Sequence, residues 1–193
     1  MQLDEAFAKL NIIQDFIPKT NSNRPGTSIT PKKITIHNTD NDSPGANAAA
    51  HAKYQKGADA QNRKVSWHFT VDDKAVFQSL PTNEMGWHAA STEGNKTSIG
   101  IEICMHPEMD VDAGYDRAAL LTAVMAHQLN VVVVDGIVQH NSWSGKNCPR
   151  VLRATPDGWS KFLEKVRTHY DSLGAVAAPE IAFMHLHDDN KIG

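Results

Sequence analysis

Only two cysteines occur in 193 residues, too few for a disulfide scaffold to stand in for a hydrophobic core. Glycine and proline are sparse at 12 and 9, which excludes collagen-like and low-complexity chains. An excess of one charge is missing as well. Nineteen basic against 22 acidic residues leave a formal charge of −3, so no broad positive field draws the chain onto nucleic acid. Long apolar runs are absent: Val131–Val134 falls far short of the ~20 residues a membrane span needs, and no membrane insertion is expected. The opening Met1–Glu5 lacks the basic and apolar regions of a secretory signal. The expectation is a protein made in the cytoplasm.

Histidine is what the sequence has in excess, with ten residues. That count points to metal or proton-transfer chemistry. The length suits one domain with a short appendage, and 40% hydrophobic residues suffice for a core at this size.

Residues 1–29 read as an N-terminal arm packed on the domain. It has a short amphipathic opening and a cluster of turn formers, Asn21 to Gly26, that is expected to run over the surface. Lys32–His37 alternates with period two, which predicts a strand ending at His37. Ala46–Gln55 predicts a helix, with Gly57 placed as its cap. Trp67–Val71 and Ala75–Gln78, joined by Asp72-Asp73-Lys74, predict a hairpin. Ser98–Cys104 predicts a strand with Ile99, Ile101 and Ile103 on one face and Gly100 and Glu102 on the other. Asp116–Leu129 has helical spacing of apolar residues. The stretch from Val131 to Val138 is β-branched and leads into His140. Thr155-Pro156 predicts a helix start, a capping hydroxyl followed by proline at the first helical position, with the helix running to about Tyr170. Residues 30–172 thus form the main domain, and 173–193 a linker-like tail containing His185 and His187. Mixed strands and helices predict an α/β class, a single domain with a central mixed sheet flanked by helices.

The loop His140-Asn-Ser-Trp-Ser-Gly-Lys146-Asn-Cys148-Pro149 holds a histidine and a cysteine close together. Imidazole nitrogen and thiolate sulfur are good zinc ligands, and a catalytic zinc keeps three protein ligands with one open position. His140 and Cys148 supply two, and His37 at a strand end is the best candidate for the third. Each residue also has an ordinary structural reading. His37 suits a backbone-bonded strand end, Glu102 a solvent-facing strand position, Lys146 a solvated loop, and Cys148 a small buried hydrophobe. Cys104 takes that last reading outright. His51 and His127 read as surface or packing residues on helices, and Trp143 and Trp159 as loop or core anchors.

Five ordered blocks make the pattern specific: Ile34-Thr-Ile-His37-Asn-Thr39, Ser66-Trp-His68-Phe69, Gly86-Trp-His88-Ala89, Gly100-Ile-Glu102-Ile-Cys104 and His140…Gly145-Lys-Asn-Cys-Pro149. Over roughly residues 30–170 the chain resembles the zinc-dependent N-acetylmuramoyl-L-alanine amidases of the type-2 amidase family, above all catalytic domains of Bacillus phage and prophage endolysins and autolysins. The resemblance implies one Zn2+ ion held by His37, His140 and Cys148, a catalytic carboxylate in Glu102, and assistance from Lys146. It implies hydrolysis of the amide between N-acetylmuramic acid and L-alanine in peptidoglycan, by a monomer acting on the bacterial cell wall after release by a holin-type lysis protein if phage-encoded. His68 and His88 are expected to contact substrate. Some members have tyrosine where this chain has Trp67, which leaves proton transfer to Glu102. Two rival readings are a non-catalytic peptidoglycan-binding module and a cytosolic amidase that recycles small muropeptides.

Overall fold

A computed structural model describes residues 1–173; the tail expectation for 174–193, with His185 and His187, lies outside the described residues. The elements run α1 (Leu3–Leu10), β1 (Ile12–Gln14), β2 (Lys33–Asn38), α2 (Ala48–Lys56), α3 (Ala58–Asn62), β3 (Phe69–Val71), β4 (Val76–Gln78), α4 (Thr92–Thr97), β5 (Ser98–Ile103), α5 (Val111–Gln128), α6 (Val133–Gly136), β6 (Ile137–Gln139), α7 (Asn141–Ser144), α8 (Arg150–Ala154) and α9 (Gly158–Ser172). One mixed sheet has the order β1-β4-β3-β5-β2-β6. Only the β3–β4 hairpin is antiparallel; the other neighbours pair in parallel. This is the expected α/β class.

Alternation decides what each central strand offers. Ile34 and Ile36 of β2 and Ile99, Ile101 and Ile103 of β5 are fully buried in the core cluster beneath α5. Their neighbours Thr35, His37, Gly100 and Glu102 face the other side of the sheet, because side chains alternate along a strand. Parallel pairing then sets His37 directly opposite Glu102, near the carboxyl ends of both strands. Val138 and Gln139 of β6 pair with Thr35 and Ile36, so His140 emerges at the same end. Ligand sites of open α/β sheets lie outside the carboxyl ends of their strands.

The helices depart from the sequence expectations in instructive places. The periodicity predicts a start at Asp116, but α5 begins at Val111 because the Asp110 side chain accepts a hydrogen bond from Ala113 N at 3.1 Å. The Thr155-Pro156 start is displaced to Gly158. Thr155 instead closes α8, its hydroxyl donating to Val151 O at 2.8 Å. The valine run is not continuous strand either. Val133–Gly136 forms a helical turn with Val132 and Val134 in solvent, and β6 occupies only three residues. Leu173, placed by sequence in the tail, is buried in the core.

The segment expected on the surface is also corrected, since Asn23 and Arg24 are buried. Asn23 Nδ2 donates to the carbonyls of Gln55 and Val65 at 2.8 and 2.9 Å. Arg24 donates through Nε and Nη2 to the two Glu84 oxygens at 2.8 and 2.7 Å, and through Nη1 to Ile17 O at 2.7 Å. Arg24 is buried while the Glu84 side chain keeps 17% exposure, so removing the guanidinium strands a partly buried carboxylate, at about 1–3 kcal/mol. Arg24→Ala is therefore expected to lower the urea midpoint by a corresponding amount; an unchanged midpoint would show the pair to be dispensable.

Candidate active site

The carboxyl ends of β5, β2 and β6 open into a groove of about 740 Å³ whose floor includes His37, Glu102, His140 and Cys148. His37 and Glu102 arrive from adjacent strands, with His37 Nδ1 3.7 Å from the Glu102 carboxylate. His140 follows β6, and Cys148 returns after the α7 turn. That turn is tied down locally: Asn141 N donates to Cys148 O at 2.9 Å and Asn141 Nδ2 to Lys146 O at 2.9 Å. Gly145 closes it at φ 73°, a conformation that favours glycine.

The three ligand-type side chains converge closely. His37 Nδ1 lies 3.1 Å from His140 Nδ1 and 3.8 Å from Cys148 Sγ, and the ligand atoms all lie within 4.8 Å of one another. Tetrahedral zinc, with bonds of about 2.0–2.1 Å to nitrogen and 2.3 Å to sulfur, needs N–N and N–S separations of about 3.3 and 3.6 Å. The donor set therefore fits that ion. His140 Nε2 and Glu102 Oε2 are buried without a hydrogen-bond partner among the described residues. A second convergent group, Asp72, Asp73 and His106, also exists. Its Asp72 carboxylate already accepts from the backbone N–H groups of Ala48, Lys74 and Ala75.

Burial dominates the electrostatics. It pulls His37 well below its ordinary range, and a charge there would also be opposed by protonation of His88 or His140 and by Lys146. His140 is lowered for the same first reason, with Lys146 adding to it. Both rings are therefore neutral and offer bare nitrogens. Burial pushes the Cys148 thiol up to about 12, and Glu102 adds to that. A cation bound there displaces the thiol proton. Glu102 is pushed up to about 8 by burial, against the pull of Lys146. Lys146 lines the groove from its exposed loop.

Tyr54, Trp67 and Trp87 line one side of the groove. Tyr54 and Trp67 stack at 6.3 Å, and Lys64 Nζ sits 5.8 Å from the Trp87 ring centre. Trp67 turns its indole N–H inward to Thr70 Oγ1 at 2.7 Å, so its contribution to the groove is an apolar surface.

The two histidines expected to contact substrate separate. His68 does not reach the groove: it is fully buried, its Nδ1 accepting from Gly100 N at 3.0 Å and its Nε2 donating to Glu84 O at 2.8 Å. His88 borders the groove, but its ring nitrogens face His37 Nε2 at 3.1 Å and Ser98 O at 3.3 Å. His51, read from sequence as a surface or packing residue, is buried at the groove wall. Sequence reasoning missed two supporting asparagines. Asn38 links Tyr115 OH at 2.9 Å to Val151 N at 3.0 Å, and Asn95 Oδ1 accepts from the backbone of His88 and Ala89. The partners of Asn38 lie on distant elements and those of Asn95 in the loop before its own helix, and the residue pattern announces neither. Trp143 anchors its loop as expected, donating to Thr35 Oγ1 at 2.9 Å.

His51 and His68 make the fold acid-sensitive. Burial lowers each from 6.5 to about 4. Between those values the unfolded chain binds protons that the folded chain refuses, so stability falls as pH drops from 6.5 to 4, by about 3 kcal/mol for each residue. The urea midpoint at pH 4.5 is expected well below that at pH 7.5, and equal midpoints would contradict the buried neutral state.

Sheet and groove together define the class: an α/β domain with a group able to hold a metal beside a buried carboxylate, at the ends of parallel strands. The Amidase_2 family model, N-acetylmuramoyl-L-alanine amidase, matches residues 27–151, and the chain belongs to that family. It is 47% identical over 155 residues to the N-acetylmuramoyl-L-alanine amidase XlyA of Bacillus subtilis (strain 168), covering 79% of this chain and 50% of XlyA. It is 42% identical over 160 residues to CwlH of the same organism, covering 81% of this chain and 61% of CwlH. The chain thus spans about half to three fifths of these relatives. Among solved structures it is similar to the catalytic domain of XlyA, with a TM-score of 0.75 at 46% identity over 81% of this chain and 99% of that one. It is similar to PlyL at a TM-score of 0.69 and 29% identity, over 81% and 96% of the two chains. Among the described residues, no helix is long and apolar enough to cross a membrane.

Proposed function

We propose that the protein is a zinc-dependent amidase that hydrolyses the bond between the lactyl group of N-acetylmuramic acid and L-alanine in peptidoglycan, acting on the bacterial cell wall. The observation that carries this reading is the buried meeting of His37, His140 and Cys148 beside Glu102, in a chain of the amidase family. When bound, zinc supplies a Lewis acid that acidifies water and polarises a carbonyl.

The chain's own residues do the rest. Burial brings the Glu102 carboxyl to about 8, close enough to neutral that its ionised form is accessible, and a group poised there both accepts and returns protons efficiently. It takes the proton of the attacking water and delivers it to the departing L-alanine nitrogen. Lys146 places a positive charge over the same groove, where it stabilises the oxygen that gains negative charge. The aromatic side of Tyr54, Trp67 and Trp87 gives the glycan-peptide an apolar face to lie against.

The test is mass spectrometry of soluble products from purified Bacillus-type peptidoglycan, with and without chelator. Stem peptides with a free L-alanine amino terminus, lost on chelation and restored by Zn2+, are expected. Wall binding without release would instead make the chain a recognition module, and cleavage at another bond would overturn the substrate.

A further inference from the structure

Gly100 lies within the central strand β5, and a Cβ built there would meet the His88 ring at 2.8 Å from Cγ and 2.9 Å from Nδ1. Glycine inside a strand is unfavourable relative to alanine. Here it clears the seat of one imidazole. That ring is buried at 8% exposure, and both of its nitrogens are engaged. Nε2 faces the Ser98 carbonyl at 3.3 Å; a carbonyl only accepts, so the proton sits on His88 Nε2. The neutral ring then offers Nδ1 only as an acceptor. Its partner at 3.1 Å is His37 Nε2, so His37 donates there. That leaves His37 Nδ1 as a bare lone pair, facing His140 Nδ1 at 3.1 Å and Cys148 Sγ at 3.8 Å.

We infer that His88 is a positioning residue: by accepting from His37 Nε2 it holds His37 in the one tautomer and ring orientation that present Nδ1 to a cation between His37, His140 and Cys148. The inference rests on the zinc reading proposed above. The carbonyl of Ser98, at the start of β5, is the fixed end of the chain of bonds. Thus β5 contributes to the site in three ways: Glu102 directly, Gly100 as space, and Ser98 as the anchor. Partners behind a metal-binding histidine are commonly worth 10–100-fold in metal affinity or activity.

The test is Zn2+ affinity of the full chain, measured by competition with a chromogenic chelator, together with the visible spectrum of the Co2+-loaded protein. His88→Phe keeps a ring and removes the acceptor. It is expected to weaken Zn2+ binding about 10–100-fold and to shift the Co2+ bands. His88→Asn sets a carbonyl oxygen where Nδ1 stood, and it is expected to restore most of the affinity and the spectrum. His88→Leu, smaller than phenylalanine, runs in parallel, with thermal unfolding of each metal-free protein. Zn2+ binding by His88→Phe or His88→Leu as tight as in the unsubstituted chain would overturn the inference and leave the zinc reading standing. Equal weakening in all three variants, or variants that do not fold without metal, would assign His88 to packing and overturn it too. An unsubstituted chain that binds no Zn2+ would overturn the zinc reading itself.

Discussion

A Cys148→Ala protein is expected to retain its fold, lose stoichiometric zinc and fall to background activity. The thiol is 4% exposed, and its near neighbours in the site are His37 Nδ1 at 3.8 Å and Asn38 O at 3.9 Å. Burial holds it protonated to about 12, so at neutral pH it has no reason to ionise except a cation beside it. Alanine leaves two neutral imidazoles, which is one donor short of a catalytic zinc site. Metal content by elemental analysis and turnover on purified wall check the two halves separately. Full zinc occupancy in Cys148→Ala would remove the cysteine from the ligand set.

Glu102→Gln is expected to do the opposite: keep zinc and lose turnover by about 10²–10⁴, the usual worth of a general acid–base group. The substitution preserves size and polarity and removes only the ability to take a proton. It has a second signature. A carboxyl raised from 4.5 to about 8 by burial binds its proton more tightly in the folded chain than in the unfolded one. Ionisation of Glu102 therefore withdraws stability from the metal-free protein as pH rises from 4.5 to 8, against the gain from the buried histidines. Glutamine has no proton to lose, so the metal-free variant should be more stable than the unsubstituted chain at pH 8 and comparable at pH 4.5. Higher stability with lower activity marks a residue kept for chemistry; a near-normal rate would end the general-base assignment.

Much of the sheet was legible because its signals are local. Period-two alternation marks Ile34–His37 and Ile99–Ile103 without reference to anything else in the chain. The site was legible one residue at a time, through residue type and resemblance, but its assembly was not. His37 faces Glu102 only because β2 pairs β5 in parallel with that register, a relation between residues 65 positions apart that neither strand states. The errors have the same origin. Arg24 reads as a surface turn until Glu84, 60 residues on, supplies its carboxylate. Thr155 reads as the cap of the helix that follows it, whereas its hydroxyl closes the helix before it. His68 and His88 look alike in sequence, each after a tryptophan, yet one is spent on strand backbone and the other on His37.

The position of β2 in the sheet has a consequence for the order of events in synthesis. It lies between β5 and β6, which leave the ribosome long after it, and Cys148 comes later still. A nascent chain that has emerged only as far as Asn130 possesses His37 and Glu102 but neither His140 nor Cys148. Contacts of such long sequence separation carry a loop-closure cost, so His37, His140 and Cys148 come together only once most of the chain is available. On the zinc reading proposed above, metal capture by a refolding chain is expected to lag the recovery of helical signal and to report the closing of the central strands.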